Sequence, residues 1–351
     1  MTSNDELRDL AITHQIYFLR YQANIVREIN DLLKMVEADL LSQLSSIDAF
    51  SNVDRLENQL SAVQAIILSA TAAISEQLRA DLSDLAEYEV AQQIASINLA
   101  VPVRLSMTVP PINVLVAAIE SKPFQGKLLS EWMQKISDDS YIRIRDAIRI
   151  GIVEGESYDQ ITKRIIGTES LQYSDGALSL NSRQVQAIVA TAISHASNEA
   201  RQTFYSENTD ILKGVQWVST LDARTTPVCQ SRDGKVYPVD SGPRPPAHIR
   251  CRSTTVPVTK SWKELGINLE EAPPGTRASM DGQVAETETY QTWLSKKSPA
   301  FQDDVLGKSR GKLFRAGMTL DRFVDTSGKE YTLKQLKEKY SAIFDQAGVD
   351  I

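Results

Sequence analysis

The sequence predicts a mainly α protein with a long N-terminal helical hairpin, a central helical domain carrying a small β-containing Cys/His module, and a helical C-terminal region. Three observations carry that expectation. The first 101 residues contain no Gly and no Pro, although the chain has 16 and 13 of them, so nothing there interrupts a helix. Apolar residues recur through that stretch at three-to-four spacing. Both cysteines and one of the three histidines then fall between Trp217 and Thr254, in a Pro- and Gly-rich segment with few apolar side chains. With 351 residues the chain can bury several cores. The pattern divides it into a hairpin at 1–101, a central helical domain at 102–210, the module at 211–262 and a helical tail at 263–351.

The first arm of the hairpin is marked by Leu7, Leu10, Tyr17, Tyr21, Ile25, Ile29, Leu32, Val36 and Leu40, all on one helical face. His14 lies on the same stripe and reads as a packed histidine. The second arm follows Leu56, Leu60, Val63, Ile67, Ile74, Leu78, Leu82 and Leu85, and the segment "SSIDAFSNVD" offers Ser, Asp and Asn caps for the turn between them. Pro102, Pro110 and Pro111 stop the second arm and impose an extended connector. Short helices should follow, parted at Gly151 and Gly155, with Ser157 as an N-cap; "QYSDGALSLNSR" reads as a loop, and "QVQAIVATAISHASNEARQTFYSE" as an amphipathic helix bearing His195.

From Lys213 the pattern changes. "GVQWVST", the run after Asp233-Gly234 and "STTVPV" predict a two- or three-stranded β unit around the Pro-rich loop. The tail "ASMDGQVAETETYQTW…" reads as helical, with turns at Gly311, Gly317 and Gly328.

Cys229 precedes His248 by eighteen intervening residues, and two more separate His248 from Cys251, which is metal-ligand spacing. A loop so poor in apolar side chains needs a staple or a neighbouring surface. Structural zinc held by Cys229, His248 and Cys251 is one reading, with Asp222, His195 or water as the fourth ligand. A loop held by hydrogen bonds and a Cys229–Cys251 disulfide are the others. The N-terminus lacks a basic start followed by an apolar run, so a reducing compartment is expected.

A net charge of −7, 42% hydrophobic residues and a mean hydropathy of −0.25 suit a soluble globular chain, and no apolar run reaches membrane-spanning length. The charge is uneven. Residues 1–100 hold fifteen acidic against six basic residues, whereas 211–262 hold three against eight. Arg224, Arg250 and Arg252 are therefore candidates for contact with an acidic partner or with phosphates; the last two flank Cys251 and alternate like strand positions. Phosphate-loop, Rossmann, nucleophile-elbow and His-Glu-x-x-His signatures are missing, so the enzymatic alternative narrows to a metal-dependent nuclease or hydrolase centred on His248 and Asp222.

In order, Trp217, Asp222, Arg224, Thr225, Cys229, Asp233, Gly234, Pro246, His248, Cys251 and Arg252 spell a pattern that resembles the phage Mu protein F-like head morphogenesis family. The resemblance covers roughly residues 110 to 262 and extends more weakly into the tail. Ile249 and Arg250 depart from the Pro or Asn frequent between the His and the Cys in that family. The resemblance implies a minor capsid protein of a tailed bacteriophage, without established catalysis and without a small-molecule substrate, although some relatives carry toxin or enzyme domains after this segment. It also implies a place in the virion at the portal vertex, reached from the host cytoplasm during assembly, with the portal protein and other head proteins as partners. Double-stranded DNA would be a further partner, during DNA packaging or ejection.

Overall fold

The computed structural model describes residues 3–45, 53–100, 103–268, 276–285 and 287–350. The protein is mainly helical, with small antiparallel sheets. The chain divides into two compact units, one formed by Met1–Gln15, Glu89–Pro110 and Asn198–Ile351, the other by Ile16–Tyr88 and Pro111–Ser197.

The two unpunctuated arms are helices α1 (Ser3–Ser45) and α2 (Val53–Ala100). Within the second unit they run antiparallel. The Tyr17 ring stacks on Tyr88 with centroids 3.8 Å apart, Tyr21 donates to the Asp81 carbonyl, and Leu40 packs with Leu60 and Val63. Most of the turn expected at "SSIDAFSNVD", and the side chains of Leu7 and Leu10, lie outside the described residues. Helices α4 (Leu129–Val153) and α5 (Tyr158–Ile166) complete this core through Ile144, Ile148, Ile161 and Ile165. Here the structure corrects one break. Gly151 sits inside α4, buried, because a Cβ at that position would stand 2.4 Å from Ile161 Cγ1; the glycine lets α5 pack close. The turn comes at Gly155, whose φ of 68° is left-handed. Ser157 is the N-cap residue of α5, and its N–H donates to Gln160 Oε1 at 2.8 Å. The preceding short helix is α3 (Ile112–Ser121).

Helix α6 (Ala177–Glu207) starts inside the stretch expected to be a loop. Thr168 N–H and O–H both donate to the Asp175 carboxylate, a turn that ends at Gly176, where a Cβ would meet the Ile166 carbonyl at 2.2 Å. The local polar composition had masked an early helix start.

In the first unit the connector before Pro110 is extended and clamped by one side chain. Asn208 Oδ1 accepts from Thr108 N–H at 2.8 Å and its Nδ2 donates to Thr108 O at 2.9 Å, imitating a strand pairing. His14 is packed, as its place on the stripe suggests, with Nε2 3.2 Å from the fully buried Glu89, whose carboxylate also takes the Arg201 guanidinium at 2.7 Å. Burial alone would raise the Glu89 carboxyl; Arg201 and His14 outweigh it and hold it at about 2.

Strand β1 (Leu212–Val218) is the centre of a three-stranded antiparallel sheet between β2 (Val236–Tyr237) and β3 (Thr254–Thr259). Pro257 is tolerated because β3 is an edge strand. Helix α7 (Pro227–Arg232), which the sequence reading did not contain, leads from β1 toward β2. The tail is not helical throughout. It opens with a hairpin, β4 (Thr276–Ser279) and β5 (Gly282–Ala285), and continues as α8 (Tyr290–Ser295), α9 (Pro299–Leu306), α10 (Lys308–Arg315), α11 (Leu333–Lys339) and α12 (Ser341–Ala347). Gly317 and Gly328 mark turns at φ 100° and 91°, but Gly311 lies buried within α10, where a Cβ would meet Asp303 Oδ1 at 2.1 Å.

Candidate metal centre

Helix α7 carries Cys229, while His248 and Cys251 lie on the turn that ends just before β3. These elements bring the three together. Cys229 Sγ stands 3.7 Å from Cys251 Sγ and 3.3 Å from His248 Nε2, and one ligand atom from each residue lies within 4.8 Å of the others. A tetrahedral ion with bonds of about 2.3 Å to sulfur and about 2.0 Å to nitrogen has S···S and S···N edges of about 3.8 and about 3.5 Å. The two separations from Cys229 Sγ come within a few tenths of an ångström of those edges.

The protonation pattern suits the same purpose. His248 Nδ1–H donates to its neighbour Ile249 O at 2.9 Å, which leaves Nε2 as the nitrogen facing the thiols. Hydrogen bonding from the Cys229 thiol holds Cys251 well below the usual thiol range, helped by His248 and the Ser253 N–H against the cost of burial. The same contact, together with burial, pushes Cys229 up. The thiols and ring thus share one proton set that a cation would displace. Both cysteines are free thiols. The residues present fit zinc by donor type and spacing. A Thr226 hydroxyl 2.8 Å from His248 Nε2 closes the group on one side.

The two candidates for a fourth protein ligand lie outside this group. Asp222 Oδ2 accepts from Arg252 Nη1 at 2.6 Å, and its Oδ1 accepts from Arg252 Nη2, Arg224 N–H and the Thr225 hydroxyl at 2.9, 3.0 and 3.1 Å. That carboxylate closes a turn and holds a guanidinium fork. His195 belongs to the other unit, where its Nε2 lies 3.2 Å from Ile119 O and its ring 5.1 Å from Phe124.

The arginines are also placed differently from the strand alternation expected. Arg250 has φ 59° and sits in the turn between the two ligands, and β3 begins only at Thr254, so Arg250 and Arg252 are not successive strand positions. Arg224 and Arg250 are exposed; Arg252 is exposed but pinned by Asp222.

A residue read from sequence only as a turn former proves central. Asp233, with its carboxylate fully buried, accepts from Ser219 N–H at 2.6 Å and Tyr290 N–H at 2.6 Å, and from both terminal nitrogens of Arg277 at 2.9 and 3.1 Å. One side chain thereby joins β1, α7, β4 and α8. Arg277 lies 44 residues downstream, beyond any local pattern. The available signal was Asp281-Gly282, a second hairpin dipeptide like Asp233-Gly234. Trp217 completes the module's interior: it is fully buried, its Nε1–H donates to Ser219 Oγ at 2.9 Å, and Arg232 lies 5.2 Å from its ring centroid.

Among known proteins, the family model described as Phage Mu protein F like protein matches residues 142–256, a stretch that contains the whole ordered pattern from Trp217 to Arg252. A curated relative, an NAD(+)--arginine ADP-ribosyltransferase EFV from Enterococcus faecalis (strain ATCC 700802 / V583), is 24% identical over 231 residues. That alignment covers 58% of this chain and 44% of the relative, so the chain spans less than half of that protein. No solved structure matches. Residues 142–256, which run from α4 into β3 and include the whole Cys/His group, are thus the part of the chain that is similar to the phage Mu protein F-like family.

Proposed function

We propose that the chain is a minor capsid protein of a tailed phage that acts by docking at the portal vertex during head morphogenesis, and that zinc on Cys229, His248 and Cys251 staples its module. Bound there, the ion supplies rigidity by fixing α7 to the turn before β3. The fourth position falls to water or to a partner's side chain, since the Asp222 carboxylate is already held by Arg252.

The observation that carries this reading is how the module spends its charged groups. A nuclease needs a free carboxylate or imidazole beside the ion. Asp222 and Asp233 each hold an arginine instead, and His248 is a ligand. Such an arrangement is suited to shape. Portal and head proteins are the expected partners, with exposed Arg224 and Arg250 as candidate contacts for an acidic surface or DNA. Among the described residues no helix is long and apolar enough to cross a membrane. The relative's transferase name does not transfer to this chain at 24% identity over part of each protein.

Purified procapsids and virions assayed for this chain test the proposal. Its presence at low copy with the portal, lost on Cys251→Ser, is the expected result; virions lacking it altogether would overturn the reading. Incubation of the full chain with plasmid DNA and divalent cations, or with NAD+ and candidate acceptor proteins, should give no turnover. Cleavage abolished by His248→Ala would instead establish the nuclease.

A further inference from the structure

The second unit contains an apolar cavity of about 300 Å³ that has no part in the metal module. Its floor is aliphatic, from Ile67 and Ile74 on α2, Ile136 and Ile144 on α4, and Leu178 and Val185 on α6. Its long side is α1, which contributes lining residues from Arg27 to Leu40. That stretch of α1 rises by about 20 Å, and the cavity lies along it as a slot.

Two features define the chemistry of an occupant. The hydroxyls in the wall have already donated their protons within their own helices, Thr71 to Ile67 O at 2.8 Å, Ser140 to Ile136 O at 2.6 Å and Ser182 to Leu178 O at 3.1 Å. The wall therefore offers aliphatic contact and almost no hydrogen-bond donors, and water gains little there. The rim, in contrast, is charged, and its charges alternate in sign at successive turns of one helix: Arg27, Asp31, Lys34 and Glu37. Arg27 rests on the neutral Asn24 Oδ1 at 3.2 Å, and the Lys34–Asp31 pair, at 2.9 Å, is 74% and 63% exposed. Exposed pairs of this kind contribute little and exchange partners readily.

An acyl chain with one charged head would call for a rim of one sign. Alternating charges at helical spacing beside an apolar slot are what a second helix matches, with its own flanking charges and its apolar side chains at one-turn spacing. A cavity of roughly 150 Å³ accepts one benzene-sized group, so this slot takes two large aliphatic side chains. We propose that the slot along α1 is the docking site for one amphipathic helix of a partner protein, anchored by two aliphatic side chains one turn apart and flanked by charges complementary to Arg27, Asp31, Lys34 and Glu37. The site uses no residue of the Cys/His group, so it stands or fails independently of the zinc-stapled module.

The test uses the full chain and a fluorescently labelled synthetic helical peptide with two leucines one turn apart and complementary flanking charges, read by anisotropy. Controls are the same peptide with both leucines changed to serine, a charge-reversed version, and dodecanoate. Saturable binding of the leucine peptide alone is expected. Ala70→Trp, which fills the slot, should weaken it about tenfold or more. The surface double variant Arg27→Glu with Lys34→Glu, which leaves the core untouched, should weaken the complementary peptide and favour the charge-reversed one. Circular dichroism confirms that each variant is folded. Dodecanoate binding without peptide binding would make the cavity a small-molecule site. No peptide binding, or affinity unchanged in both variants, would also overturn the proposal.

Discussion

Among the described residues, helices α8 to α12 close over a cluster of thirteen buried apolar residues that includes Trp293, Leu313, Met318 and Phe344, whereas the cluster within the Cys/His module has three buried members, Trp217, Cys229 and Cys251, with Val228, Tyr237 and Ala247 partly buried against them. Both regions belong to the same compact unit. The difference shows where each draws its stability. The C-terminal helices are held by apolar area removed from water, at roughly 25 cal/mol per Å². The module is held by a buried carboxylate hub and by two thiols and an imidazole at ligand spacing. One region is expected to tolerate chelation and the other to depend on a cation.

The largest effect should come from Asp233→Ala. It strands the Arg277 guanidinium, which is 12% exposed, and removes the acceptor shared by Ser219 and Tyr290, at a cost of about 3–5 kcal/mol. Denaturant unfolding measures this, and a loss below about 1 kcal/mol would mean that the hub is ornamental. Phe344→Ala should cost a similar amount, about 3–5 kcal/mol, by opening a cavity in the C-terminal core. The two variants separate in metal content: Phe344→Ala should leave it unchanged in folded protein, and a loss of metal there would erase the contrast between the regions.

Acid should act elsewhere in the same unit. Glu89 has a folded pKa of about 2 against an ordinary value of 4.5, so the folded state binds fewer protons than the unfolded state through this interval. Its contribution, on the order of 3 kcal/mol, is fully present above pH 4.5 and is lost as pH falls toward 2. The difference in Tm between the wild type and Glu89→Gln should therefore shrink on acidification, and a constant difference would exclude the linkage. The smallest effect belongs to Arg252→Ala. The Asp222–Arg252 pair is 18% and 37% exposed, so its loss should cost about 1 kcal/mol or less and leave the metal bound.

Much of this organisation was legible in the sequence, for identifiable reasons. The arms could be read because a hundred residues without Gly or Pro and with a regular apolar stripe leave few alternatives to helix. β1, β2 and β3 were marked by alternation and by Asp233-Gly234. The ligand spacing of Cys229, His248 and Cys251 pointed to a group that the fold does assemble. What escaped depends on long-range packing. Gly151 and Gly311 look like breaks but are close-contact positions inside helices, where a Cβ would strike Ile161 or Asp303. The role of Asp233 is set by Arg277, which no local window contains. The β4–β5 hairpin was missed although Asp281-Gly282 announced it, because helical residues surround that dipeptide.

The most direct test of the zinc-stapled module is elemental analysis of the purified full chain beside Cys229→Ser, Cys251→Ser and Asp222→Asn, with circular dichroism on each. The account predicts about one zinc per chain in the wild type and in Asp222→Asn, none in either cysteine variant, and helical content preserved throughout. A metal-free wild type with the module intact would contradict it, and would leave the loop held by hydrogen bonds alone.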